Sequence, residues 1–275
     1  MTQVLVTGDA GLVGRQTATR LRSAGHHVVG FDLTRGQDVR DDAAVTSAVG
    51  GCDVVVHLAA ADLPATAVDI VDTILMGTRN VVDASVANGV RRVVMVSSAD
   101  VLGVFLGEGA PDYLPLDDLH PERPVTPYGA AKLAAERCAQ RATLASDLEV
   151  ISLRPPGVCD DETMAWIRGQ RDQRPSFEWD PLWEYGAWIH LTDLADALVA
   201  AAVCPSPAHR FASHLVAALD INSDDYAAAD LVARVHPQVD WRGGPEYETK
   251  PYRSLLVTDP VQGLLQWHPQ ITWKR

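Results

Sequence analysis

Through the first half of the chain, short runs of β-branched and other apolar residues alternate with longer stretches of mixed polarity. Gln3–Thr7 (QVLVT), His27–Asp32 (HVVGFD), Asp53–Leu58 (DVVVHL), Arg92–Ser97 (RVVMVS) and Glu149–Leu153 (EVISL) read as strands. Their apolar positions are nearly continuous, as in parallel strands buried on both faces. Between them, Gly11–Ala24, Asp42–Val49, Thr78–Ala87 and the Ala-rich Tyr128–Ala145 read as helices, with Gly25 and Asn88-Gly89 as stops. This alternation predicts an α/β fold, a Rossmann-type doubly wound parallel sheet.

The second half is less regular. Gly103–Pro127 and the stretch from about Cys159 to Ala187 interrupt the alternation and are rich in Pro, Asp and aromatics. Such insertions follow strand C-termini, where an open α/β sheet binds its ligands. Thr192–Val203 reads as a further helix, and the tail from Pro205 as a small α/β cap.

Composition narrows the classes. With 47% hydrophobic residues in 275, the chain is ordinary for a globular protein. No apolar run reaches the ~18 residues of a membrane span, and the N-terminus runs straight into a strand, so a cytoplasmic location is expected. The net charge of −13 repels nucleic acid and anionic membranes, and it sits poorly with an anionic substrate unless the site carries local positive charge. Cys52, Cys138, Cys159 and Cys204 form no CxxC pair, which argues for reduced buried thiols and against a zinc site.

Two motifs carry chemistry. Thr7-Gly8-Asp9-Ala10-Gly11-Leu12-Val13-Gly14 follows a strand and opens a helix. Glycines there let the backbone approach a pyrophosphate, and the helix N-terminus supplies free N–H groups to the anion. Asp32 ends the second strand, where a carboxylate binds both hydroxyls of an adenosine ribose and repels a 2′-phosphate. NAD is therefore expected over NADP, with Arg15 and Arg35 near enough to leave the choice open. Asp38 and Val39 are placed to flank the adenine. The second motif is Tyr128-Gly129-Ala130-Ala131-Lys132, after the fourth strand, with Thr126 as helix N-cap and Pro127 in the first helical position. Tyrosine and lysine four apart share a helix face. The ammonium and the helix N-terminus favour the phenolate, equipping Tyr128 to exchange a proton while hydride moves to or from nicotinamide.

The sequence resembles the extended short-chain dehydrogenase/reductase family, also called the NAD-dependent epimerase/dehydratase family. The resemblance is carried by Thr7–Gly14, by HLAA at His57–Ala60 and by VSSADVLG at Val96–Gly103. It continues through PYGAAKLAAE at Pro127–Glu136, RPPGV at Arg154–Val158, WIHLTDLADA at Trp188–Ala197 and the C-terminal LLQWHPQITW. It implies that Ser98 hydrogen-bonds the reacting oxygen, that Tyr128 is the acid/base, and that Lys132 holds the nicotinamide ribose. It also implies that Leu58, Ala59 and Ala60 line the dinucleotide groove. Pro155 through Val158 then pass near nicotinamide and substrate, with Gly157 on the substrate side. A homodimer is implied, through the YxxxK helix and the helix Thr78–Ala87. On this basis residues 1–158 form the dinucleotide-binding domain with 103–127 as a substrate loop. Residues 159–275 form mostly a substrate-binding cap, with 189–203 returning to the core.

Departures from the pattern shape the functional expectation. Gly157 replaces an asparagine, and Gly186 stands where sugar-nucleotide enzymes of the family often carry an arginine. Neither supplies a side chain for a pyrophosphate, although Arg168, Arg171 or Arg174 offer substitutes. Ser98 is followed by Ala99-Asp100 rather than the Asp-Glu pair of dehydratases. The expectation is an NAD-dependent alcohol/ketone oxidoreductase on a small polar or sugar-like substrate, resembling short uronate-dehydrogenase-like members. The alternatives are a sugar epimerase that retains its NAD and a non-catalytic dinucleotide sensor. Aromatics between Trp166 and Trp188, Trp188 included, are candidates to cover a substrate ring or to anchor a lid. His190 reads as a structural hydrogen bonder.

Overall fold

The structure, a computed structural model, describes residues 1–61, 65–105, 108–173 and 185–274. Its elements in chain order begin β1 (Gln3–Thr7), α1 (Leu12–Ser23), β2 (His27–Phe31), α2 (Asp42–Val49) and β3 (Val54–His57). Next come α3 (Ala67–Val71), α4 (Gly77–Ala87), β4 (Arg92–Val96), β5 (Tyr113–Leu114), α5 (Pro127–Ala145) and β6 (Glu149–Arg154). The chain continues through β7 (Val158–Cys159), α6 (Asp161–Gln173), β8 (Ile189–His190) and α7 (Leu191–Val203). It closes with β9 (Phe211–Leu215), α8 (Ala228–Val235), β10 (Asp240–Trp241), α9 (Glu246–Thr249) and α10 (Asp259–Leu265).

Six parallel strands form one sheet in the order β2-β1-β3-β4-β6-β9. Side chains alternate between its faces. Val4, Val6, Val54, Val56, Val94 and Ile151 pack with Leu21 of α1, with Leu194 and Leu198 of α7, and with Val261 of α10. Leu5, Val55, Val93 and Val150 pack on the other face against α2, α4 and α5 through Val45, Val81, Ala135 and Ala139. Because both faces are covered, the strands read as continuous apolar runs. No helix among the described residues is long and apolar enough to cross a membrane.

Chain direction across the sheet reverses between β1 and β3, and ligands of such sheets bind at that switch point, beyond the strand C-termini. Thr7, His57, Ser97 and Pro155 stand at or just past those termini.

Two sequence expectations change. The helix before β4 starts at Ala67 rather than Thr78: Thr66 and Asp69 form a capping box, and Asp72–Met76 is π-helical before α4. The start escapes notice because α3 is largely exposed and lacks an apolar stripe. Second, the tail is not wholly a cap. β9 is an edge strand of the main sheet, and α10 packs on its core. In FASHL the partly buried positions carry Ser213 and His214, so the strand does not read as apolar. The remaining cap packs Ile221, Leu231, Tyr247 and Leu255 against Val101, Leu102 and Leu114 of the 99–117 segment.

Candidate functional site

At the end of β1 the chain turns on Gly8, at φ +71°, whose N–H donates to the Phe31 carbonyl at 2.7 Å. A Cβ on Gly8 would stand 2.8 Å from the Ala59 nitrogen, and one on Gly14 only 2.0 Å from the Gly8 oxygen. Both glycines are therefore required for turn and helix to meet. Gly11 is the α1 N-cap; it offers no side-chain cap, and the first turn has no acidic residue. The opening N–H groups of α1 thus keep their positive end for an anion. Leu12 is exposed there, while Val13 packs on the core. A backbone cradle of this kind, closed to any Cβ, fits a dinucleotide pyrophosphate.

Asp32 follows β2. Its carboxylate accepts from the Ala10 N–H (3.1 Å), the Thr34 N–H (2.8 Å) and the Thr34 hydroxyl (2.7 Å). Burial works against its charge, but the bonds from Thr34 and Ala10 outweigh this and hold the carboxyl below its ordinary range. Arg35 is turned to Asp9, and Arg15 donates to the Ala10 carbonyl at 2.8 Å. Arg40 grips both oxygens of Asp38, its Nε donating to Oδ1 at 3.0 Å and its Nη2 to Oδ2 at 2.6 Å. Val39 is buried beneath Gly77, and its carbonyl accepts from Asn80.

Beyond β3, Leu58 and Ala59 are half-buried and Ala60 is exposed. The Ala59 N–H donates to the Thr7 hydroxyl oxygen at 3.3 Å. His57 sits under this turn, its Nδ1 2.7 Å from Thr7 Oγ1 and its Nε2 3.1 Å from Thr78 Oγ1. Burial, then the Lys132 charge, pushes His57 down to about 3, so it is neutral. The HLAA motif gives no hint of this clamp, since Thr78 lies on a distant helix.

Ser98 ends the stretch after β4 and caps a short turn, Ala99–Leu102, accepting from the Asp100 N–H at 3.1 Å. Ser98 also acts on Tyr128 and on the Asp100 carboxyl, lowering each against the effect of burial. Thr126 caps α5 through the Gly129 N–H at 3.0 Å, and Pro127 takes the first turn, as the sequence predicts. A Cβ on Gly129 would stand 2.7 Å from the Asp100 oxygen, so α5 lies pressed against the 99–102 turn. Lys132 is buried; its Nζ donates to the Val96 carbonyl at 2.8 Å and lies 5.6 Å from the Tyr128 ring centroid. The structure thus brings Ser98, Tyr128 and Lys132 together.

The electrostatics differ from the sequence expectation. Burial, then the Asp100 charge, pushes Tyr128 up to about 12 against the Ser98 bond. Burial brings Lys132 down to about 8 against the charges of Glu136 and Asp100. Tyr128 is held as the protonated phenol, not the phenolate, first by its burial and then by the Asp100 charge, which enters from a turn whose fold the motif does not reveal.

Below the site, Arg154 of β6 is buried, and its Nε donates to Glu136 Oε1 at 2.9 Å, with Glu122 on its other edge. Ser152 also donates to Glu136 at 2.9 Å. This buried network anchors α5 to β6. Past β6, Pro155 is buried and accepts from the Ala99 N–H at 2.9 Å. Gly157 and Val158 are half-buried, and the Gly157 carbonyl accepts from the Ile189 N–H at 3.0 Å.

Trp188 requires correction. Its side chain is fully buried, its Nε1 donates to the Asp220 carbonyl at 2.9 Å, and its ring meets Trp273 edge-on at 5.4 Å. It anchors the C-terminus and offers no face to a substrate. Phe177, Trp179, Trp183 and Arg174, with the side chain of Arg171, lie outside the described residues. Gly186 is at φ +67°, and a Cβ there would meet Ile221 at 2.6 Å, so no longer side chain fits. Arg168 donates to the Trp273 carbonyl. His190 Nδ1 accepts from the Thr192 N–H at 3.1 Å, capping α7.

The profile of the NAD dependent epimerase/dehydratase family matches residues 4–209, and the chain belongs to that family. That family is NAD-dependent. An L-arabinose 1-dehydrogenase (NAD(P)(+)) of Haloferax volcanii is 35% identical over 169 residues, 56% of this chain and 66% of that protein. A UDP-glucose 4-epimerase of Halalkalibacterium halodurans is 26% identical over 235 residues, 70% of this chain and 69% of that one. The matched stretches thus span about two thirds of these relatives' length. A short-chain dehydrogenase/reductase superfamily protein of Agrobacterium tumefaciens with bound NAD superposes at a TM-score of 0.71. That likeness covers 99% of this chain and 94% of that one at 23% identity, and shows the fold.

Proposed function

We propose that the protein is an NAD-dependent dehydrogenase, transferring hydride between nicotinamide and an alcohol or carbonyl carbon of a small, polar, sugar-like substrate. One observation carries this reading: Lys132 Nζ lies 5.6 Å from the Tyr128 ring centroid, with Ser98 acting on the same phenol, on the sheet whose first strand ends in a glycine turn closed to side chains. NAD, when bound, supplies the hydride acceptor. Gly8, Gly11, Leu12, Val13 and Gly14 hold its pyrophosphate, Asp32 the adenosine ribose, and Asp38 and Val39 flank the adenine. Leu58, Ala59, Ala60, Pro155 and Val158 line the groove, and Lys132 holds the second ribose. Ser98 bonds the reacting oxygen, and Tyr128 gives it a proton or takes one from it. Gly157 leaves room on the substrate side. NAD is preferred because Asp32 is held as a carboxylate.

The molecule acts as a homodimer through α4 and α5. The outer face of α5 carries a groove lined by Ala134, Arg137, Cys138, Gln140, Arg141 and Leu144, with Leu144 83% exposed. A cytoplasmic setting suits the four free cysteines.

The test is absorbance at 340 nm with added NAD and a panel of aldoses, polyols, uronic acids and nucleotide sugars. Multiple turnovers of NADH are expected with one class. Tyr128→Phe is expected to lower kcat by about 10²–10⁴ while leaving NAD affinity unchanged. Bound dinucleotide with epimerised sugar and no net NADH selects the epimerase reading instead, which the similarity to a UDP-glucose 4-epimerase supports.

A further inference from the structure

Asp9 stands inside the glycine turn, directly after Gly8, yet a pyrophosphate is held there by backbone N–H groups and leaves the Asp9 side chain without a role. That side chain lies against β2, with only 12% of it exposed. A Cβ on Gly30, in the middle of β2, would stand 2.1 Å from Asp9 Oδ2. Gly30 is not among the glycines with positive φ, so its backbone makes no demand for glycine. What requires glycine there is the close approach of the Asp9 carboxylate.

From this position Asp9 accepts from Nη2 of Arg35. Arg35 belongs to the short turn Leu33–Arg35, which Asp32 caps with its own side chain. Arg35 Nε donates to Gln37 Oε1 at 3.3 Å, and the same oxygen accepts from the Asp32 N–H at 3.1 Å. The other oxygen of the Asp32 carboxylate accepts from Ala10, the neighbour of Asp9. Asp9, Arg35, Gln37 and Asp32 thus close one corner of the cofactor site, with the guanidinium turned away from Asp32 and onto Asp9. A ribose 2′-phosphate is an anion that a free guanidinium binds through two parallel N–H bonds. Arg35 can offer those bonds only by leaving a half-buried carboxylate without its partner, which offsets part of what the phosphate contact contributes.

We propose that Asp9 is a second determinant of cofactor choice: by binding Arg35 it withholds the guanidinium from a 2′-phosphate, and so adds to the preference for NAD over NADP that Asp32 establishes. This inference rests on the placement of the adenosine ribose at Asp32, which Asp32→Ala tests by itself. Calorimetric titration with NADH and with NADPH reads both as binding, without a substrate, on wild type, Asp9→Asn, the double variant Asp9→Asn/Arg35→Gln, and Asp32→Ala. In Asp9→Asn the ratio of NADPH to NADH affinity is expected to rise about tenfold, the scale of one charge-assisted contact. In the double variant the ratio is expected to return to the wild-type value, because glutamine brings no charge to the phosphate. An unchanged ratio in Asp9→Asn overturns the proposal. So does a rise that persists in the double variant, since the effect then belongs to repulsion by Asp9 and not to capture of Arg35. Weaker NADH binding by Asp32→Ala beside an unmoved ratio in Asp9→Asn keeps the ribose at Asp32 and strikes the role of Asp9 alone. Unaltered NADH binding by Asp32→Ala removes the ribose placement and the proposal with it.

Discussion

Asp32 and Lys132 are the residues whose surroundings make the sharpest demands. Asp32 is held ionised by three short-range donors, and a carboxylate there attracts ribose hydroxyls and repels a 2′-phosphate. Asp32→Ala is expected to lower kcat/KM for NAD about tenfold and raise it for NADP by a similar factor. Equal use of both cofactors by the wild type would end that assignment. Lys132 is buried with its ammonium pKa lowered to about 8. The unfolded chain binds that proton up to about 10.4, so the buried charge opposes folding below pH 8, and the penalty fades as pH rises from about 8 to 10.4. Lys132→Met is therefore expected to abolish turnover yet raise stability by about 1 kcal/mol at pH 7. That gain should vanish near pH 10, when only the lost bond to the Val96 carbonyl remains. Denaturation midpoints at the two pH values measure it, and a loss of stability at pH 7 contradicts it. The tyrosine–lysine pair was legible from its spacing together with its place after the fourth strand, whereas the burial and the Asp100 charge that keep Tyr128 protonated were not. Asp100 acts from a turn whose position depends on Gly129 packing, not on distance along the chain.

At the scale of elements, the site is a set of strand ends held in register by helices, and a buried ionic network ties α5 to β6. Arg154, Glu136 and Ser152 are buried together there, so removing Glu136 leaves the buried Arg154 charge only half-compensated, by Glu122 alone, with no water to complete its shell. Glu136→Leu is expected to destabilise the protein by about 3–5 kcal/mol, and the double change with Arg154→Met to recover most of the loss. Urea denaturation of the four members of the cycle decides this; additive losses would show that the pair is not coupled. The helix before β4 and the edge strand β9 were the elements hardest to read. α3 is exposed, so its boundary rests on a capping box rather than on periodicity. β9 is partly buried at Ser213 and His214, residues that carry no apolar signal.

For the whole molecule, the −13 charge matters only through where it is distributed. The glycine turn and the α1 N-terminus, with no acidic residue in the first turn, offer an anion a positive helix end in a chain that is acidic as a whole. Assembly is decided at this scale too. Light scattering is expected to give twice the 29.7 kDa of one chain. Leu144→Arg, on the exposed face of α5, is expected to shift the mass to that of the monomer while thermal stability stays within a few degrees. A wild-type monomer, or a dimer indifferent to this change, removes α5 from the interface.

What the sequence determined by itself was local or periodic: which runs form parallel strands, where a glycine turn meets a helix, and which tyrosine and lysine share a face. Those properties depend on backbone stereochemistry and on residue spacings of two, three and four, which tertiary context leaves intact. The tertiary structure decided what depends on distant segments meeting. It buried Trp188 against Trp273, clamped His57 between Thr7 and Thr78, returned β9 to the sheet and pressed Gly129 of α5 against the turn that carries Asp100. Burial and charge are set by all neighbours at once, and most of those neighbours lie far away along the chain.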